Sequence, residues 1–148
     1  MTPMTPMMAM TAHDGRTAVL DTNIILDLFV FKDPATAPLK QALDTGELRW
    51  IATPAMRDEL ERVLNYAHIV PRLAFHQLTA SGVMAQFDRH AHIEPAAPRA
   101  STICKDPDDQ CFIDLAIAHR ATLLSKDKAV LCMKKRLLVL GVSVKLAM

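Results

Sequence analysis

Apolar residues along this chain fall into short runs, most of them bounded by proline, glycine or aspartate. Thr17 to Leu20 is a β-rich run that enters directly on Asp21, and it predicts a buried strand. Residues 23–30 are apolar on most sides and partly β-branched, which predicts a short strand followed at once by a helix. Asp33-Pro34 is a cap with a first-turn proline, opening a helix through Leu39, Ala42 and Leu43 that Asp44-Thr45-Gly46 ends. Leu48 to Ile51 reads as a second strand. Thr53-Pro54 repeats the cap-and-proline signal, and the helix beyond it sets Met56, Leu60, Val63 and Leu64 on one stripe. From Pro71 onward Leu73, Phe75, Leu78, Met84 and Phe87 are spaced for a helical hairpin. A short third strand is expected at Ala91-His92-Ile93, and the proline- and alanine-rich stretch 94–101 is a loop. Asp106-Pro107 opens a helix carrying Phe112, Ile113, Leu115, Ala116 and Ile117, followed by a fourth strand over Ala121 to Leu124. A short helix from Lys128 to Leu131 and a final strand over Leu137 to Leu140, stopped by Gly141, complete the pattern.

Apolar strands separated by helical segments argue for an α/β fold, a three-layer α/β/α sandwich around a mainly parallel sheet of about five strands. With 148 residues, 51% of them hydrophobic, the chain can bury a sizeable core but has no room for two domains of ordinary size. The expected organisation is a flexible leader over 1–16 and one domain over 17–148. No apolar run reaches bilayer length, and the opening residues lack the basic and long apolar regions of a signal peptide, so a cytoplasmic location is expected. Seventeen basic and sixteen acidic side chains nearly cancel, which excludes a strongly basic nucleic-acid coat protein. A nucleic-acid enzyme with an acidic centre and a basic surround is still compatible with that balance. Cys104, Cys111 and Cys132 lack the paired spacing of a zinc site and read as buried free thiols. Among the histidines only His90 and His92 are closely spaced, with no cysteine nearby. Trp50 reads as a core residue of its strand.

The chemistry lies in the acids. Asp21 ends the first strand, Asp127 lies just past the fourth, and Asp109 is in the first turn of the helix before the fourth. In a parallel sheet all three fall on one edge. Glu59 lies beside Leu60 and one turn from Val63, near the face of its helix that meets the sheet. Each acid also has an ordinary structural reading: Asp106 and Asp127 as helix caps, Asp108 and Asp109 as first-turn charges, Glu59 as a partner of Arg57 or Arg62. Together they make a set of carboxylates suited to a hard divalent cation, Mg²⁺ or Mn²⁺ rather than zinc. Lys126 and Lys128 flank Asp127, and Arg57 lies on the Glu59 helix; these are the expected substrate-binding cations, with Lys134-Lys135-Arg136 a further basic run.

Asp21-Thr22-Asn23-Ile24-Ile25-Leu26, the stretch Thr53 to Leu60, Lys105 to Ile113 and Leu123 to Lys128 together resemble the four acidic motifs of PIN-domain ribonucleases. The third has the form typical of the branch that supplies toxin components of bacterial toxin–antitoxin systems. The resemblance spans most of residues 17–140. It implies catalytic, metal-binding acids at Asp21, Glu59, Asp109 and Asp127, with Asn23 and Ser125 bracing them and Asp114 as an additional outer ligand. Ser125 stands where the family usually has threonine and keeps the hydroxyl; Lys105 stands where arginine is common. The implied activity is metal-dependent cleavage of RNA to a 5′-phosphate and a 3′-hydroxyl; scattered basic residues and the lack of a duplex-reading motif point to single-stranded RNA. The implied partners are RNA, a cognate antitoxin and a second copy of the chain, with exposed apolar surface around residues 60–87 as a candidate contact. The competing class is a receiver-like regulatory or protein-binding domain. It would need an acidic pair before the first strand and a lysine ending the last, and the predicted final strand ends instead at Gly141.

Overall fold

The computed structural model describes residues 17–146; the leader expected over 1–16 lies outside them. Five strands form one sheet in the order β3-β2-β1-β4-β5: β1 (Thr17–Leu20), β2 (Arg49–Ala52), β3 (Ala91–Ile93), β4 (Thr122–Leu124) and β5 (Val144–Lys145). Every neighbouring pair is parallel, with Ala18 opposite Trp50 on one side of β1 and opposite Thr122 on the other. Helices cover both faces, giving the expected three-layer α/β/α architecture around a parallel sheet. In the receiver-like class the order is 2-1-3-4-5, a different path through the sheet.

Two secondary-structure expectations are corrected. Residues 23–30 contain no strand: α1 (Thr22–Phe29) begins one residue after β1. Asp21 caps it, and residues 24–30 are all buried. A helix enclosed on most sides needs no polar face, so its β-branched residues are outweighed by burial against the sheet and neighbouring helices. The second correction concerns Leu137 to Leu140, which belong to or follow a helix, α8 (Lys134–Val139), instead of forming the last strand. Only Leu137 of that run is buried; Leu138 and Val139 are 61% and 86% exposed. The final strand lies beyond Gly141, where buried Val142 and Val144 alternate with more exposed neighbours. Strand five therefore ends on Lys145, which removes one sequence argument against the receiver-like reading; the strand order replaces it.

The remaining helices are α2 (Ala37–Thr45), preceded by a 3₁₀ turn over Pro34–Thr36, α3 (Pro54–Leu64), α4 (Val70–Phe75), α5 (Ala80–His90), α6 (Gln110–His119) and α7 (Lys128–Leu131). The helical hairpin predicted after Pro71 is α4 and α5. Of the apolar residues spaced for that hairpin, Leu73, Met84 and Phe87 are buried, while Phe75 is 80% exposed. Trp50 is a core residue, its ring 6.0 Å from and tilted by 38° to that of Phe29 and edge-on at 5.0 Å to Phe87. Of the three free thiols Cys104 alone is buried, and Cys132 is exposed.

Two glycines carry the chain around helix ends with left-handed backbones, Gly46 at φ +79° and Gly141 at φ +88°. A Cβ at Gly46 would meet open space, whereas at Gly141 it would lie 3.3 Å from the Arg120 side chain. Gly46→Ala should therefore cost about 1 kcal/mol, the backbone penalty alone, and Gly141→Ala distinctly more. Urea denaturation of the two variants measures the difference.

Candidate active site

The strand order reverses between β1 and β4, because β1 connects onward to β2 on one side while β4 connects to β5 on the other. Such a switch point leaves a crevice at the carboxyl ends of the strands. The Asp21 N–H donates to the Leu124 carbonyl at 3.0 Å, joining the ends of the two strands. Asp21 then turns the chain into α1: its carbonyl accepts from Ile24 at 2.9 Å and its carboxylate from the Asn23 N–H at 3.4 Å. Asp127 turns the chain after β4 in the same way, its carboxylate accepting from the Ala129 N–H at 2.9 Å. Asp109 ends the 3₁₀ turn Pro107–Asp109, which Asp106 caps through the Asp108 N–H at 3.0 Å. These three local turns bring one carboxylate oxygen each from Asp21, Asp109 and Asp127 to within 4.8 Å of one another.

Ser125, fully buried, joins two of the three. Its hydroxyl donates to Asp21 Oδ2 at 2.7 Å and accepts from the Asp127 N–H at 3.1 Å. Glu59 reaches the same hollow from α3, and its Oε2 accepts from the Thr22 hydroxyl at 3.1 Å. It stands outside the tight trio. The hollow holds about 400 Å³; a larger one of about 520 Å³, lined by Phe29, Lys40 and His90 among others, lies elsewhere and contains none of these acids.

The electrostatics are unfavourable in isolation. Asp21 and Asp109 are only 5% and 6% exposed. Burial raises the Asp21 pKa; the Ser125 and Asn23 hydrogen bonds oppose it, and Asp127 adds to it. Asp109 is pushed up to about 8, first by burial, then by the facing Asp127 carboxyl, with which only a protonated partner can share a hydrogen bond, and by the charge of Asp21. Glu59 is also raised by burial, against the Thr22 hydrogen bond. Asp109 Oδ2 is buried and has no hydrogen-bond partner. With an orphaned buried carboxylate oxygen facing two further carboxylates, this group could hold a divalent cation.

Other predicted site residues lie at varying distances from this cluster. Asn23 contributes its backbone N–H, while the residue itself is exposed. Asp114 faces away from the trio: its Oδ1 accepts from the Ala100 N–H at 2.9 Å and from Gln110 Nε2 at 2.8 Å. Gln110 in turn accepts from the Cys104 N–H at 2.7 Å, so Asp114 and Gln110 pin the 94–106 segment beside Asp109. Arg57 makes a two-pronged pair with Asp88, at 2.8 and 2.9 Å, above a separate hollow. Lys126 is held by Asp27 of α1, and Lys128 is exposed beside Asp127. His90 binds Asp44 and the Gln86 carbonyl, away from the acids.

Sequence reading missed Thr22 as the brace for Glu59, and Asp27 as the anchor for Lys126. Thr22 sits within the first motif, but only the fold shows which acid its hydroxyl meets. The Gln110–Asp114 spacing of four on a helix was the available signal for the loop anchor.

Unfolded aspartate ionises near pH 4, and Asp109 in the fold near 8. Between those values the metal-free folded protein keeps a proton that the unfolded chain has released, so its stability falls as pH rises through the window. Asp109→Asn should flatten that slope and add about 1–3 kcal/mol at pH 7.5 in EDTA. Urea melts at pH 5 and 7.5 give the comparison, and a variant weaker than wild type at pH 7.5 would contradict it.

No curated protein matches the chain. A family model described as PIN domain matches residues 17–129, which takes in β1 through the start of α7 and all four acids of the hollow. With most of its length covered by that match and its carboxylates gathered at the switch point of a parallel sheet, the chain belongs to the PIN domain family.

Proposed function

We propose that this protein is a metal-dependent endoribonuclease that hydrolyses single-stranded RNA, and that it is the toxin of a toxin–antitoxin pair. The observation that carries the reading is the trio Asp21, Asp109 and Asp127, with its unpartnered buried oxygen on Asp109. Those three residues would hold Mg²⁺ or Mn²⁺. When bound, the ion supplies charge neutralisation at the scissile phosphate and a water of lowered pKa. Family membership and an all-carboxylate donor set both support this chemistry.

The chain's own groups have separable tasks in this reading. Ser125 fixes the Asp21 carboxylate and, through the Asp127 N–H, the turn that presents Asp127. Glu59, held by Thr22 at the edge of the trio, orients the attacking water and accepts its proton; burial that raises its proton affinity suits that role. Lys128, exposed beside Asp127 and without an ion pair among the described residues, contacts a flanking phosphate. Lys126 acts mainly through Asp27, tying the loop after β4 to α1. Arg57 is engaged by Asp88, so its contribution to substrate binding is smaller than that of Lys128. The expected products are a 5′-phosphate and a 3′-hydroxyl. The toxin assignment rests on the third motif, Lys105 to Ile113. Exposed Val70 and Phe75 on α4 offer apolar surface for an antitoxin or a second copy.

Incubation of mixed RNA with the purified protein should give cleavage in Mg²⁺ or Mn²⁺ and none in EDTA. Asp21→Asn should lower the rate at least 100-fold. Equal activity in the mutant rejects the mechanism. Thermal melts supply a readout independent of turnover: Mn²⁺ at a hundred times its Kd should stabilise wild type by about 3 kcal/mol, and Asp109→Asn should lose most of that gain.

A further inference from the structure

The hollow that holds the acids has a second wall of different chemistry. Phe31, Tyr66 and His68 line it together with the aliphatic side chains of Val63 and Ile69. Tyr66 is 46% exposed, unusual for a large ring beside a core. Its backbone is fixed from both sides. The Tyr66 N–H donates to the Val63 carbonyl at 3.0 Å, and the Tyr66 carbonyl accepts from Ile69 at 2.9 Å and Val70 at 3.0 Å. The His68 ring lies 5.9 Å from the Tyr66 ring, tilted by 37°. The Arg72 guanidinium sits 4.9 Å from the Phe31 ring centroid, adding positive charge to this wall. Partly exposed Tyr66 and His68 share with the carboxylates a hollow of about 400 Å³, space on the scale of one small ligand.

We propose that Tyr66, supported by His68, is a stacking platform for the nucleobase that adjoins the scissile phosphate, and that it sets the preference for unpaired RNA. The proposal rests on the nuclease reading above and adds a specificity residue to it. A phosphate held at the acids places its own base only a sugar away, and the rings line the same hollow as those acids. Only a base free of its neighbours can lie on such a ring; in a duplex both faces of every base are already covered. A stacking contact also fits the wall's polarity: it presents a π face with a phenol and an imidazole at its margins, and it does not require a particular base. Among the described residues the Tyr66 side chain meets the His68 ring and makes no hydrogen bond to the acids, so its contribution is to binding and register.

Steady-state cleavage of a single-stranded oligoribonucleotide by wild type, Tyr66→Ala and Tyr66→Phe tests the platform. Tyr66→Ala should raise KM about tenfold with kcat within about twofold, and Tyr66→Phe should stay close to wild type. An abasic nucleotide beside the cleaved bond should cost wild type a similar factor and cost Tyr66→Ala nothing further, since the two changes remove one contact. An unchanged KM in Tyr66→Ala, or an abasic penalty equal in both proteins, overturns the proposal and assigns the ring to protein contact. Fluorescence anisotropy of labelled single-stranded RNA, with Asp21→Asn compared with the Asp21→Asn, Tyr66→Ala double variant, tests it without turnover. About tenfold weaker binding in the double variant supports the platform and equal binding sinks it. Absence of cleavage by wild type on any RNA would count against the nuclease reading alone.

Discussion

The parallel pairing of β1 with β4 is the constraint on which the site depends. It sets Leu20 against Leu124, so that the next residue of each strand must leave the sheet at the same place. Asp21 does so by donating to the Leu124 carbonyl and capping α1; Ser125 does so by bonding the Asp21 carboxylate and the Asp127 N–H. The caps are thus also the means of collecting charge. Asp21 and Asp127 each use Oδ1 to hold the turn that positions them, and Asp21 Oδ2 accepts in addition from Ser125.

Asp109 is different, and the difference carries most of the electrostatic cost. It is buried, lacks a partner for one oxygen, and faces two carboxylates that hold its proton on to about pH 8. No arginine or lysine among the described residues is paired with the trio; Arg57 and Lys126 are engaged by Asp88 and Asp27 instead. A fold that sought stability alone would neutralise such a cluster or replace it with apolar side chains. As it stands, the cluster is one that could coordinate a divalent cation. The opposite wall has no such cost, because aromatic rings can stand partly exposed without an unsatisfied polar group.

Legibility followed the range of the interactions involved. Elements bounded by local signals were readable: Thr53-Pro54 at α3, Asp106-Pro107 before α6, and the strand entering Asp21. The misread segments were those where an apolar run has two physical meanings. Residues 23–30 are apolar because a helix there is enclosed, while Leu138 and Val139 are apolar and exposed on α8. Nothing in a short run of such residues separates these cases, since burial depends on what packs against it. The same holds for the cations: proximity in sequence placed Lys126 and Arg57 near the acids, but their partners come from α1 and α5.

By itself, the order of residues determined the alternation of strand and helix, and hence a parallel sheet with its acids on one edge. That much follows from local caps, turn residues and the period of the apolar positions. The tertiary structure alone decided which carboxylates converge. It joined Asp21 to Ser125 across 104 residues, turned Asp114 toward the 94–106 segment, set Thr22 against Glu59, and brought Tyr66 into the hollow of the acids. The physical reason is that a carboxylate's role is fixed by the distance and direction of its neighbours within a few ångströms, and those neighbours arrive from distant parts of the chain only when the sheet closes.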